Sequence, residues 1–393
     1  MKNEAIFSNG ISKSFNLLKA KLPFRRKGNS DKILLFLALG LSAFGLVMVY
    51  SASYIFAQEK FHNGLYYFNK HLIFLFLGLF SMTFFRFLDL KILEKLSLPI
   101  FIFCSMLMAL TLVPGLAHRA GGASRWLNVG GFTIQPVEFI KIALVIYMAS
   151  RFSKPDLDFS KITTGFFYQL APGALIALLC MLQPDFGSTA LVVAITIIIC
   201  FIAGVRPKYL LTSAMVILPS MIMAIWLAPY RRARLLSFLN PWADPQGAGF
   251  QIIQSFIAFY RGGLFGVGMG NSRAKIFYLP EAHNDFILSV VGEELGFLGI
   301  SILICAFLFF VFRGMRISAK SSNKFTATTA AGLTALLGLE VFWNASVVLG
   351  ILPNKGMNFP FVSSGGSSII CALTAVGILL NISAQNRSET AIF

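Results

Sequence analysis

Charge is what this chain of 393 residues has least of: 12% is Asp, Glu, Lys or Arg, while 56% is hydrophobic. A soluble domain carries roughly twice that charged share. A water-soluble enzyme of this length is therefore excluded, because so much apolar side chain could not be hidden from water. Histidine is nearly absent. His62, His71, His118 and His283 fall in no ligand spacing, which argues against zinc or haem. The five cysteines, Cys104, Cys180, Cys200, Cys305 and Cys371, sit inside apolar runs without paired spacing, so neither a disulfide framework nor a metal cluster is expected. No apolar run alternates with period two, which makes a membrane β-barrel untenable. No Ser-His-Asp arrangement stands out. A cleavable signal peptide is not expected, because residues 1–32 are polar and basic and the first apolar run is too long for one.

What the chain has in abundance is length of apolar sequence, with 41 Phe. Ten runs are long enough to cross a bilayer: 33–55, 70–88, 97–115, 136–153, 166–183, 187–205, 209–229, 286–313, 326–351 and 366–384. Helices are the remaining way to satisfy backbone polar groups in lipid. The expected fold is an all-α polytopic integral membrane protein of ten transmembrane helices, with a large outer loop between the seventh and eighth. The expected organisation is a basic cytoplasmic tail (1–32), a ten-helix membrane domain (33–385, outer loop 230–285) and a second cytoplasmic tail (386–393).

The net charge of +17 reads as positive loops on the cytoplasmic side, not as a nucleic-acid surface. With the N-terminus inside, 21 Lys and Arg fall on the inner side and 11 on the outer, Lys141 lying within a span. Both termini are therefore placed in the cytoplasm. Six of the outer charges crowd into the loop Tyr230–Asp285, too long for a simple connection. Its Arg231, Arg232 and Arg234 defy the charge rule, so an anionic partner such as a lipid diphosphate is expected there. Within that loop, Phe250 to Tyr260 reads as an amphipathic helix lying in the outer interface, with Gln251, Gln254, Ser255 and Ala258 on its polar face. The run Gly266-Val267-Gly268-Met269-Gly270 lacks the strand a nucleotide loop needs, and reads as a hinge or as backbone packed on a ligand.

Asp285 ends the loop at the outer end of the eighth span. Either it or Asn284 is expected to cap that helix. A carboxylate held as the anion there can accept a proton or hold a divalent cation. Below it, Glu293 and Glu294 fall inside the apolar layer. So do Glu340 with Asn344 (i and i+4) and Glu138 with Lys141 (i and i+3). They read either as ion pairs inside the bundle or as a polar cavity opening outward. Asp185, in Gln183-Pro184-Asp185, reads as a turn and helix cap.

Long motifs in order then identify a family. The stretches Tyr230–Pro245, Gly249–Ser255, Gly262–Ser272, Tyr278–Phe286 and Gly292–Gly296 closely resemble the SEDS family (shape, elongation, division, sporulation). Arg125-Trp126-Leu127, Gln135-Pro136, Gln183-Pro184-Asp185 and Pro360–Ser368 agree, so the resemblance covers about residues 33–385. It implies ten transmembrane helices and a peptidoglycan glycosyltransferase that polymerises lipid II, a disaccharide-pentapeptide on an undecaprenyl diphosphate. It places the catalytic residue at Asp285. Substrate-binding candidates are Arg231, Arg232, Arg234, Trp126, Arg125, Glu281, His283, Lys355 and Ser367, and Mg or Mn is a candidate cofactor. Asn240–Pro245 and Lys355-Gly356 look more like the division member than the elongation member. The expected setting is then the bacterial cytoplasmic membrane at the division septum. The expected partners are a class B penicillin-binding protein and other division proteins. The family usually has Thr where Asn284 stands and Tyr where Ser364 stands. A lipid II flippase and a recruiting scaffold are the alternative readings.

Overall fold

The computed structural model describes residues 29–113, 117–120, 123–129, 132–154, 167–247, 249–275, 279–280 and 282–390. The tail 1–28, Glu281 and residues 391–393 lie outside the described residues. Helix α1 (Lys32–Phe61) starts where Asp31 caps it by accepting from the Leu34 N–H. A sharp turn leads into α2 (Tyr66–Phe87), then α3 (Leu90–Lys95) and α4 (Ser97–Leu110). Pro136 opens α5 (Pro136–Phe152), since its missing N–H costs nothing in a first turn. Next come α6 (Tyr168–Leu182), α7 (Phe186–Ile202), α8 (Pro207–Trp226), α9 (Pro229–Leu239) and α10 (Phe250–Gly262). Three long helices finish the chain: α11 (Ile287–Ala319), α12 (Lys324–Val348) and α13 (Gly366–Thr390).

A helix stands in each of the ten apolar runs, and six of these helices are long and apolar enough to cross a membrane on their own. The chain is a polytopic membrane protein. α13 is almost wholly buried, packed on α2, α5, α1 and α12. α8 is the least enclosed, and turns Leu211, Met215, Leu218 and Ile222 outward, where lipid would take the place of a core.

Two expectations about the fold need correction, and a third feature was not expected. The chain is not all-α. Strands β1 (Ala117–Ala120), β2 (Ala123–Val129) and β3 (Phe132–Ile134) form an antiparallel sheet in the order β1-β2-β3, with Trp126 opposite His118 and Leu127 opposite Ile134. Each pair of strands is separated by two Gly in the sequence, the composition of a tight hairpin. Second, the inward side of α10 is not its polar face alone: Ile252, Ile253, Ser255, Ala258 and Gly262 are buried, while Gln251 and Gln254 are half-buried. Ser255 is buried, meets the Ser289 hydroxyl at 2.8 Å and donates to the Val348 carbonyl at 2.6 Å, while Phe256 and Tyr260 are exposed.

Third, the glycine run packs against a break in α11. α11 is broken at Gly296, whose φ of 66° and ψ of −166° only glycine adopts readily. The freed backbone groups are paired by the glycine segment. Phe297 N donates to Gly263 O and Leu298 N to Leu264 O. Val267 N donates to Glu293 O and Gly268 N to Glu294 O. Irregular backbone at membrane depth is tolerated only when buried in protein in this way.

Candidate active site

The N-cap position of α11 falls to Phe286, which has no side-chain cap bond, and not to Asn284 or Asp285. Asp285 therefore stands in a turn, half-buried, in front of the helix. Two contacts fix it. Asn344, buried in α12, donates from Nδ2 to the Asp285 carbonyl at 2.8 Å and to the Met357 carbonyl at 2.5 Å. Gly356 lies so close to the Asp285 carboxylate that a Cβ there would overlap Oδ2. One amide thus ties together the two chain segments between which the carboxylate sits.

The residue before that glycine reaches sideways into a cluster of charge. Lys355 passes over Gly187, where any side chain would block it, and its Nζ lies 2.5 Å from Asp185 Oδ1 and 3.2 Å from the Ser188 hydroxyl. Asp185 is the cap the sequence suggests, accepting the Ser188 N–H at 3.0 Å. It is also a counter-ion, with Arg125 Nε 3.4 Å away. Burial alone would raise the Asp185 carboxyl, but Lys355 and Arg125 hold it well below the ordinary carboxylate range. Burial lowers the Lys355 ammonium from its ordinary value, and Asp185 works in the opposite direction.

Arg125 also donates to the Pro184 carbonyl at 2.7 Å. Arg231 donates to the Ala224 carbonyl at 3.0 Å and sits 5.8 Å above the Phe186 ring. Arg234 donates to the Asn354 carbonyl at 3.3 Å, and Arg232 is exposed. Three cations, Lys355, Arg125 and Arg231, thus meet around the start of α7, and Gly356, next to Lys355, meets Asp285. The sequence signals this in two ways: cations on the side they normally avoid, and a Lys-Gly pair in a polar loop. It gives no sign that Asp185 is the shared anion.

Other expected residues are placed as follows. His283 is buried, its ring 4.3 Å from Tyr67 and 5.7 Å from Phe56, and its carbonyl accepts the Ser364 N–H. The substitutions at Asn284 and Ser364 therefore flank the contact that seats the Asp285 turn. The Ser367 hydroxyl accepts the Gln135 N–H at 3.0 Å, which ties α13 to the residue before α5. Trp126 is half-buried on β2 beside Arg125. Among the described residues no group of three His, Cys, Asp or Glu is arranged to hold a metal ion. Among the described residues the donor set around Asp285 is one carboxylate with Lys355 close by, which does not fit a divalent site.

The deeper carboxylates do not line an outward cavity. Glu293 accepts from the Ser272 hydroxyl, Arg273 N and Ala274 N, at 2.5, 3.1 and 3.0 Å. Glu294 pairs with Lys275 at 2.9 Å and accepts from Ser51 at 2.6 Å. Together they pin the loop that leads toward Asp285. The sequence missed Lys275, which is itself a cation on the unfavoured side. Lys141 pairs with Glu138 at 2.9 Å and with Glu340, all three buried between α5 and α12. Removing one member of such a group leaves charge uncompensated. Lys141→Met should cost about 3–5 kcal/mol, read as a lower melting temperature in detergent. Glu138→Gln and Glu340→Gln added to it should restore most of that stability. A single variant as stable as the parent would refute the pairing.

Comparison with known proteins agrees with this geometry. A family model described as cell cycle protein, of the FtsW, RodA and SpoVE group, matches residues 31–388. The chain is 42% identical over 370 residues to the "probable peptidoglycan glycosyltransferase FtsW" of Geobacter metallireducens, covering 94% of this chain and 99% of that one. It is 37% identical over 362 residues to stage V sporulation protein E of Bacillus subtilis, covering 92% and 99%. Among solved structures, a chain of a peptidoglycan synthase complex that coordinates polymerisation and crosslinking superposes with a TM-score of 0.74 at 28% identity, covering 90% and 97%. RodA of Thermus thermophilus superposes with a TM-score of 0.67 at 23% identity, covering 90% and 96%, and shares the fold.

Proposed function

The chain belongs to the cell cycle protein family of FtsW, RodA and SpoVE, and from that premise we propose that it polymerises lipid II into glycan strands at the outer face of the cytoplasmic membrane. It is a peptidoglycan glycosyltransferase of the FtsW kind. The observation that carries the reading is the carboxylate of Asp285 set against Gly356, with the adjoining Lys355 in a cluster with Asp185 and Arg125, Arg231 over the Phe186 ring and Arg234 on the Asn354 carbonyl.

Asp285 takes the proton from the acceptor sugar hydroxyl. That oxygen bonds to the anomeric carbon of the donor as the bond from this carbon to the diphosphate oxygen breaks. The diphosphate leaves with the electron pair, and the cation cluster stabilises the charge that develops. A transporter would need its buried charges free to change partners. Glu138, Lys141, Glu340, Glu293 and Glu294 are all engaged within the chain.

The proposed setting is ten spans with both termini in the cytoplasm, at the division septum. A class B penicillin-binding protein adds the cross-links. Purified protein given labelled lipid II, with and without that partner, tests the reading. Polymer supports it, lipid movement without polymer means a flippase, and neither means a scaffold.

Two expected results follow from this reading. A cysteine at Gln246, exposed in the long loop, should react with an impermeant reagent in intact cells. Reaction only after the membrane is permeabilised would reverse the topology. Changing Arg231, Arg232 and Arg234 together to Gln should raise the KM for lipid II about tenfold or more, the loss of one to two charge-assisted hydrogen bonds. A normally inserted triple variant with unchanged polymerisation at limiting lipid II would clear the arginines of this role.

A further inference from the structure

Asn354, Lys355 and Gly356 are consecutive, yet they serve three places. Gly356 meets the Asp285 carboxylate and Lys355 enters the cation cluster. Asn354 turns to a different neighbour: its Nδ2 donates to Gln251 Oε1 at 2.6 Å, and its carbonyl accepts from Arg234. These residues line a cavity of about 320 Å³, together with Gln246, Phe250 and Pro280. Its volume is at the small end of ligand pockets, roughly 300–1,000 Å³.

The lining decides what can enter. Three side-chain amides and one guanidinium surround an aromatic ring, and no described lining residue is acidic. A metal ion finds no carboxylate there, and a polyprenyl tail finds too many polar groups. Amides both donate and accept, which matches sugar hydroxyls and an acetamido group, and the Phe250 ring offers a flat face to a pyranose. One tripeptide joins the cavity, through Asn354, to the Lys355–Asp185 cluster and, through Gly356, to Asp285. Building on the proposed function, we infer that this cavity is the subsite for the N-acetylated sugar of the acceptor, whose hydroxyl Asp285 deprotonates, while the donor's diphosphate lies on the Lys355 side.

The probe is N,N′-diacetylchitobiose, which has the acetamido sugars but no lipid, diphosphate or peptide. Its binding to the full-length protein in detergent is measured by saturation-transfer NMR, a readout that does not need activity. The wild type should bind it. Gln251→Ala and Phe250→Ala should each weaken binding about tenfold, the order expected when one or two hydrogen bonds or a ring contact is lost. Binding of inorganic diphosphate itself should be unaffected in these variants. If either variant melts early, Gln246→Ala, at an exposed position, carries the test. No transfer to the wild type, or equal affinity in all variants, overturns the inference. So does variant-dependent binding of the stem pentapeptide in place of the disaccharide. Failure of the wild type to polymerise lipid II would overturn the proposed function, and the binding result would still stand by itself.

Discussion

Asp285→Asn is expected to leave the protein inserted and folded while lowering glycan polymerisation by about 10²–10⁴-fold, the usual loss with a general base. The side chain keeps its size and loses its charge. Phe286, not Asp285, holds the N-cap position of α11, and an amide accepts hydrogen bonds much as a carboxylate does, so the stability cost should stay within about 1 kcal/mol. Asn344 grips the Asp285 backbone carbonyl, not the carboxylate, and holds the variant in the same place. Polymer from labelled lipid II, measured beside a thermal melt, separates chemistry from folding. A folded variant at near wild-type rate would return the search for the catalytic group to Glu281, His283 and Asp185. The last two are poorly suited to it: His283 is buried among rings, and Asp185 is held between Lys355 and Arg125.

The contrast between what could and could not be read from sequence has a physical cause. Helices in lipid close their own hydrogen bonds, so apolar length alone marks them, and each of the ten runs holds one. The pairing of Glu138 with Lys141 was legible because i and i+3 share a helix face. The third member, Glu340, lies 199 residues away, and no local period reports it. The same holds for Lys355 with Asp185 and for Lys275 with Glu294. The sheet at 117–134 was missed because three strands of seven residues or fewer, set between glycine pairs, carry too few side chains to show a period. The inward side of α10 has a different reason. The amphipathic pattern shows which residues share a face, but small residues allow close helix packing, and Ser255, Ala258 and Gly262 are buried on α10 together with Ile252 and Ile253.

Gly356→Ala is expected to cost nearly as much activity as losing the carboxylate, though it changes no charged group. The added methyl would overlap Asp285 Oδ2. The backbone itself tolerates alanine, because Gly356 is not among the glycines with positive φ. The overlap must then be relieved by moving the carboxylate or the segment 355–357. The segment is held on both sides, by Asn344 on the Met357 carbonyl and by Asp185 and Ser188 on Lys355. The carboxylate is the part that gives. A displacement of about 1 Å at a reacting group costs on the order of 10²-fold in rate, while overpacking at one methyl costs about 1–3 kcal/mol of stability. Gly40→Ala is the control, since nothing lies within 4 Å of a Cβ there and alanine favours a helix by about 0.5–1 kcal/mol. The rate per folded molecule should fall for Gly356→Ala and hold for Gly40→Ala. Wild-type polymerisation by a folded Gly356→Ala protein would mean that the carboxylate does not act from the position opposite Gly356.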